Sequence, residues 1–344
     1  MKIEIADRLK AFSHSPGHSF IVPGTRFSIQ AFPTALFFSQ EEGKATGLHM
    51  NLKGPVNPFT IEQDLEAKVI RIYGEALQGY FRLSVKAEEN KLMLFFEKTP
   101  PTGIVIGERV FFSGDFLEIA NDILVFKEPF QERLFLGSSK KKESDQIRQR
   151  RDLREIFPLW YRLGATTPLA ENKEHPSLFL ESAIERKDKK TAQDLFLHTY
   201  LAHFTSGLVP RKEDLEKQGL SPVIEFSNEL LFQGFTAIRS LFFQEKEGEL
   251  HILPCLFPLF VCGRLIQLKS KSGCIFDIEW TKHRLRKMFI QVEKDQVLNL
   301  HFPVDVVCFR IKRSRKDKGK IVSAKEAIFP VKAGDLLSLD LFQK

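Results

Sequence analysis

The sequence predicts a mixed, mainly β protein: an N-terminal β-sandwich, a short central helical block and a C-terminal antiparallel β-sandwich. Three observations predict it. From Lys2 to about Pro129, and again from Glu249 to the end, short β-branched and aromatic runs alternate with Gly, Pro and Asn-Asp punctuation. Between these regions, apolar residues recur at helical spacing. The chain of 344 residues is 43% hydrophobic and holds 33 Phe against 4 Tyr and 2 Trp. Phe fills the space between sheets without needing a hydrogen-bond partner. The expected boundaries are 1–137, 138–247 and 248–344.

The N-terminal strands are expected at Ser19 to Val22, Arg26 to Phe32, Leu36 to Ser39, Leu48 to Leu52 and Ala67 to Tyr73. Gly79 to Lys86 and Lys91 to Glu97 form a hairpin through Glu88-Glu89-Asn90, and Val110 to Phe112, Phe116 to Ile119 and Ile123 to Phe126 follow. Ser138 to Lys142 reads as a solvated linker. One helix is expected from about Glu143 to Leu163, with Ile147, Leu153, Ile156 and Trp160 on one side. Further helices are expected at Ser177 to Glu185, Lys190 to Phe204, Asp214 to Lys217 and Glu225 to Phe243. In the last region, turns are expected at Glu247-Gly248, Gly263, Gly273 and Ala333-Gly334-Asp335. Lys312 to Lys320 reads as a charged hairpin tip.

Composition narrows the function classes. A net charge of +7 permits an acidic or nucleic-acid partner without requiring one. The two basic runs, Lys140 to Arg154 and Arg310 to Lys320, contain acids and lack interleaved exposed aromatics, so nucleic acid is disfavoured. The scarcity of Trp and Tyr counts mildly against a large saccharide groove. Cys255, Cys262, Cys274 and Cys308 form no C-x-x-C pair and have no His at zinc-finger spacing, so no metal is expected. His198 and His203 lie five apart, off the i, i+4 spacing of two ligands on one helix face. No G-x-S-x-G, P-loop or G-x-G-x-x-G pattern occurs, so no cofactor is expected. The first residues carry no secretory apolar run and no stretch reaches membrane-spanning length. A reduced, cytoplasmic chain without a membrane partner is the expectation, and no protein partner can be named.

The most specific stretch runs from Ile238 to Ile290. Phe242-Phe243-Gln244 is followed by Glu247-Gly248-Glu249-Leu250-His251-Ile252-Leu253-Pro254, then Gly263, Gly273 and Phe276-Asp277-Ile278-Glu279-Trp280. This run resembles the crossing from the last barrel helix to the C-terminal sandwich in (α/α)6-barrel glycoside hydrolases, specifically the family of inverting 1,2-α-L-fucosidases. The resemblance covers about 50 residues well, and more loosely the β, helix, β order of the whole. It implies a carbohydrate-associated protein. It also places Glu229 where the family carries a functional Asp, as the one candidate catalytic residue. Leu230-Leu231 stands where the family has Gly-Asn, which weakens that candidate. His251, alternating with Leu250 and Ile252, reads as a hydrogen-bonded wall histidine, and Asp277 and Glu279 as one polar strand face.

The stretch from Glu143 to Gln244 is too short for the family's barrel. Twelve helices with their loops need roughly 160 residues. The expected function is therefore a glycoside-hydrolase-like protein that keeps the frame and lacks the catalytic apparatus. The alternatives are an active glycosidase with relocated carboxylates and a non-catalytic protein- or nucleic-acid-interaction protein.

Overall fold

The computed structural model describes residues 3–40, 45–168, 184, 188–211, 229–314 and 316–343. The protein is mainly β with four helices among the described residues.

The N-terminal region carries β1 (Lys10–Ser13), β2 (His18–Ile21), β3 (Ser28–Phe32), β4 (Ala35–Ser39), β5 (Thr46–His49) and β6 (Phe59–Asp64). It continues with β7 (Val69–Ala76), β8 (Gly79–Glu88), β9 (Lys91–Lys98), β10 (Ile104–Ile106), β11 (Arg109–Phe111) and β12 (Phe116–Ala120). One antiparallel sheet runs β1-β6-β7-β8-β9-β12, a second runs β2-β3-β4-β5, and β10-β11 form a small hairpin. Period-two alternation sets the faces. Ile61, Ile72, Leu83 and Phe96 are cross-strand neighbours in one buried row, and Phe20, Ile29 and Phe38 form another on the second sheet. Glu89 and Asn90 both take positive φ, the turn geometry that matches strand twist between β8 and β9. The stretch from Ile123 to Phe126 is not a strand; the Phe126 N–H donates to the Gly24 carbonyl instead.

The linker is tied down at one end. Lys142 is buried and pairs with Asp7, and the Phe12 N–H donates to the Lys142 carbonyl, while Lys140 and Lys141 stay exposed. The single helix expected next is two helices, α1 (Ser144–Arg150) and α2 (Leu153–Thr166). Arg151 closes α1 in the left-handed conformation, and the Asp152 carboxylate caps the Arg154 N–H to start α2. An acid at an N-terminus is a start signal that periodicity alone does not show. Next come α3 (Lys189–His203) and α4 (Glu229–Phe242). The expected helices at Ser177 to Glu185 (Ile184 apart) and Asp214 to Lys217, and the start at Glu225, lie outside the described residues.

Helices α2 and α4 cross closely because glycines meet bulk. A Cβ on Gly164 would stand 2.1 Å from the Leu231 carbonyl oxygen, and one on Gly234 would stand 2.1 Å from the Trp160 indole. Arg148 of α1 donates to the Leu201 and Phe204 carbonyls at the end of α3, where a cation also suits the helix dipole. A cluster of phenylalanines sits here. Phe157 touches Phe196 and Phe260, and Phe242 packs between Phe260 and Trp280, carrying the core from the helices into the last sheets.

The C-terminal region has β14 (Phe243–Lys246), β15 (Glu249–Ile252), β16 (Cys262–Lys269), β17 (Cys274–Thr281), β18 (Arg284–Val292) and β19 (Gln296–His301). It ends with β20 (Cys308–Lys312), β21 (Lys320–Ser323), β22 (Ile328–Val331) and β23 (Leu336–Gln343). The larger sheet has the order β13-β16-β17-β18-β23-β20-β21, where β13 (Arg133–Phe135) comes from before the linker. The smaller sheet, β14-β15-β19-β22, contains one parallel pair, β15 with β19. That pair departs from the expected all-antiparallel sandwich. The chain between its strands crosses through the whole of β16 to β18, the kind of long connection parallel strands require. Phe243 meets Phe276 with ring centroids 5.2 Å apart, joining the two sheets.

Turns at Glu247-Gly248 and Gly273 are present, with positive φ at each of these residues. Gly263 is not a turn. It lies inside β16, where a Cβ would stand 2.2 Å from the Trp280 ring. It is small because an indole lies on it. One contiguous cluster of buried side chains runs from the N-terminal sheets through the helices to the C-terminal sheets.

Candidate functional site

The outward face of the large C-terminal sheet is organised by register. The inward residues of β17, Phe276, Ile278 and Trp280, are fully buried, so Ile275, Asp277 and Glu279 face out. Three cross-strand rows result. The first is a charge ladder: Arg264, Glu279, Lys287, Asp340 and Arg310 are successive neighbours across five strands, alternating in sign. Arg264 meets Glu279 at 3.1 Å, and Arg310 grips Asp340 through two bonds of 2.7 and 2.9 Å. The Arg310 hydrogen bonds hold the Asp340 carboxyl below the usual carboxylate range.

The second row is Asp277, Phe289, Ser338 and Lys312, and the third is Ile275, Gln291 and Leu336. These two rows floor a groove of about 590 Å³, walled by Lys312, Arg313 and Ser314 beside the β20–β21 tip. Ile3 and Ile5 lie on Ile266 with Phe289 against them, so the described N-terminal segment covers the neighbouring part of the face.

A bulge fixes the polar floor. The register of β16 against β17 slips between Leu265 and Leu268, and Gln267 takes a φ of 56°. Its N–H, freed from the ladder, donates to Asp277 Oδ1 at 2.8 Å. Asp277 is therefore a buried, positioned acceptor and the one carboxylate among the described residues lining the groove. Arg313 is held over the wall by Asp335 at 3.0 Å, and Lys312 stands 3.5 Å from Asp340.

A second cleft, of about 520 Å³, lies between α4 and the edge of the sheets and contains two carboxylates among the described residues, Glu132 and Glu245. Both hold the fold together. Glu132 accepts from the Tyr161 hydroxyl and the Lys269 N–H, with Arg239 at 3.4 Å. Burial, and then the Glu132 charge, push the Tyr161 hydroxyl well above its ordinary range. Glu245 accepts the Lys271 and Ser272 N–H groups.

Glu229 is the first described residue of α4, is buried, and lines neither opening. Glu225, the expected start of the same helix, lies outside the described residues. His251 is half-buried on β15 and faces Glu249 and His301, a grouping that sequence spacing does not show. The basic tip is a hairpin as expected: β20 pairs with β21, although the strand after it breaks at residues 324–326 into a 3-10 turn capped by Ser323. Arg315 lies outside the described residues. Sequence reasoning placed Asp277 and Glu279 on one face but missed Phe289, Gln291, Ser338 and Gln267, whose meeting depends on register and on the bulge.

No family model matches this chain, and no curated protein matches it. No helix among the described residues is long and apolar enough to cross a membrane.

Proposed function

We propose that this chain is a carbohydrate-associated protein that binds saccharide in the C-terminal groove without hydrolysing it. The observation that carries the reading is the composition of the groove floor. Phe289 and Ile275 offer apolar surface, and Asp277, Gln291 and Ser338 offer hydrogen-bonding groups in the two adjoining rows. Sugars present both kinds of surface, C–H faces and hydroxyl edges, and a site with convergent polar groups on an apolar floor suits them. Hydrolysis by inversion needs two carboxyl groups about 6.5–9.5 Å apart, and retention about 5 Å. Asp277 alone among the described lining residues is acidic, and its Oδ1 already holds the Gln267 N–H. The resemblance of the Ile238 to Ile290 stretch to the fucosidase family supports the same ligand class. Four cysteines with no disulfide among them accord with a reducing, cytoplasmic setting.

The test is a panel of α-fucosides, α-glucosides and β-galactosides, scored both for binding and for turnover. At least one is expected to bind, with affinity reduced tenfold or more by Phe289→Ala or Gln291→Ala, and none is expected to be hydrolysed above a Glu229→Ala control. Hydrolysis by the wild type that Glu229→Ala abolishes would establish the active-glycosidase reading. Absence of binding to any glycan would remove the carbohydrate reading altogether.

A further inference from the structure

On the other C-terminal sheet, far along the chain from the groove residues of β23, three metal-ligating side chains converge. Glu249 and His251 are two apart on β15 and so point to one side; Leu250 and Ile252 point into the core. The parallel register sets His301 of β19 directly beside His251. The two imidazoles stack with centroids 4.7 Å apart and planes inclined by 24°. Both Nε2 atoms approach one oxygen: Glu249 Oε2 lies 3.2 Å from His251 Nε2 and 3.4 Å from His301 Nε2. All three ligand atoms fall within 4.8 Å of one another.

We propose that Glu249, His251 and His301 form a three-ligand site for a divalent transition-metal ion of the zinc class, with a fourth position open to solvent.

Two features favour an ion over a plain carboxylate–imidazole contact. The first is the spacing. Zinc binds imidazole nitrogen and carboxylate oxygen at about 2.0–2.1 Å, and in a tetrahedron with such bonds neighbouring ligand atoms stand about 3.3–3.4 Å apart. The two nitrogen–oxygen distances, 3.2 and 3.4 Å, lie close to that edge. The second is His301 Nε2 itself. It is shut off from solvent and makes no hydrogen bond, so its 3.4 Å contact with Glu249 lacks hydrogen-bond alignment. A buried nitrogen with no hydrogen bond to the protein is set for a ligand bond. Two imidazoles with one carboxylate form a donor set suited to zinc, and to iron, cobalt or nickel in the same oxidation state. The side chains of His251, Glu249 and His301 remain between 31% and 42% exposed, which leaves room for a water or a ligand group on the outer side. The ion would clip together the one parallel strand pair among the described strands.

The experiment uses the full chain without a polyhistidine tag, stripped with a chelator and titrated with Zn²⁺ calorimetrically and with Co²⁺ by visible absorption. One ion per chain is expected, with four-coordinate Co²⁺ bands and a thermal midpoint that rises with Zn²⁺ and falls back on chelation. His301→Gln and Glu249→Gln should each weaken binding at least tenfold, and His251→Gln/His301→Gln should abolish the bands. Melting of each variant in metal-free buffer shows that it is folded. Ion binding equally tight in the double variant would place the ion elsewhere, at a cysteine for example, and overturn the proposal. So would a wild type with no stoichiometric binding and no Zn²⁺-dependent shift in its midpoint, an outcome independent of any variant. Saccharide binding is read at a different sheet, so either result leaves the proposed function standing or falling separately.

Discussion

The main-chain N–H of Gln267 donates to Asp277 Oδ1 at 2.8 Å across a bulge between neighbouring strands. That bond is made by a carboxylate that is itself buried. It links the stability of the sheet to the floor of the groove.

Asp277→Ala should therefore cost about 1–3 kcal/mol, the penalty for leaving a buried donor unmet. Asp277→Asn keeps an acceptor and should cost less. Chemical denaturation of the three proteins checks the order; equal stabilities would show that the bulge holds without this bond.

Gly263→Ala and Gly234→Ala should each destabilise by about 1–3 kcal/mol through overpacking. Each added methyl enters a tryptophan ring, Trp280 in one case and Trp160 in the other. Gly248→Ala meets no neighbouring atom but sits at a φ of 82°, so its cost is backbone strain alone, about 1 kcal/mol. Thermal unfolding of the three variants separates the two causes.

Lys142 is the buried half of a pair with Asp7, so Lys142→Ala should cost about 2–4 kcal/mol, while Lys140→Ala and Lys141→Ala should be near neutral. Arg313, half-exposed in its pair with Asp335, should lose less than about 1 kcal/mol on replacement by Ala. Limited proteolysis should cut beside Lys140 or Lys141 and leave the two fragments associated through the common core. Their separation without denaturant would contradict that core.

Burial holds the His18 imidazole below its usual range, against the weaker opposing pull of Asp145. The unfolded chain then binds a proton more readily than the folded one. Stability should be full above the ordinary histidine range and fall as pH drops from about 6.5 toward the folded value. His203 is lowered too, by burial and then by His198 and Arg211, and acts in the same direction. The stability of His18→Gln, followed by denaturant midpoints between pH 7.5 and 5, should show a shallower slope than the wild type.

Much of the fold was legible in the sequence because the deciding interactions are local. Alternation set the faces of β7, β8 and β17, Glu89-Asn90 set the β8–β9 hairpin and Glu247-Gly248 the β14–β15 hairpin, and helical spacing found Ile156, Trp160, Phe196 and Tyr200. Each signal acts within a few residues, where propensity and steric exclusion operate directly. The same locality explains the misread Gly263. A glycine reads as a turn from its neighbours, and the indole that requires it comes from another strand. It also explains the break at Arg151, where a cap overrode the apolar stripe that continues past it.

What tertiary structure alone decided is which distant residues share a face. The sequence determined that His251 and Glu249 alternate with core residues; only the parallel pairing of β15 with β19 set His301 beside them. It determined that Asp277 lies on a polar strand face; only register across β18, β23 and β20 aligned it with Phe289, Ser338 and Lys312. Strand pairing is chosen by the burial of whole apolar faces across long loops, and a slip of one residue would turn each of these side chains to the opposite face. That choice belongs to the assembled core, in which no short stretch of chain holds a deciding share.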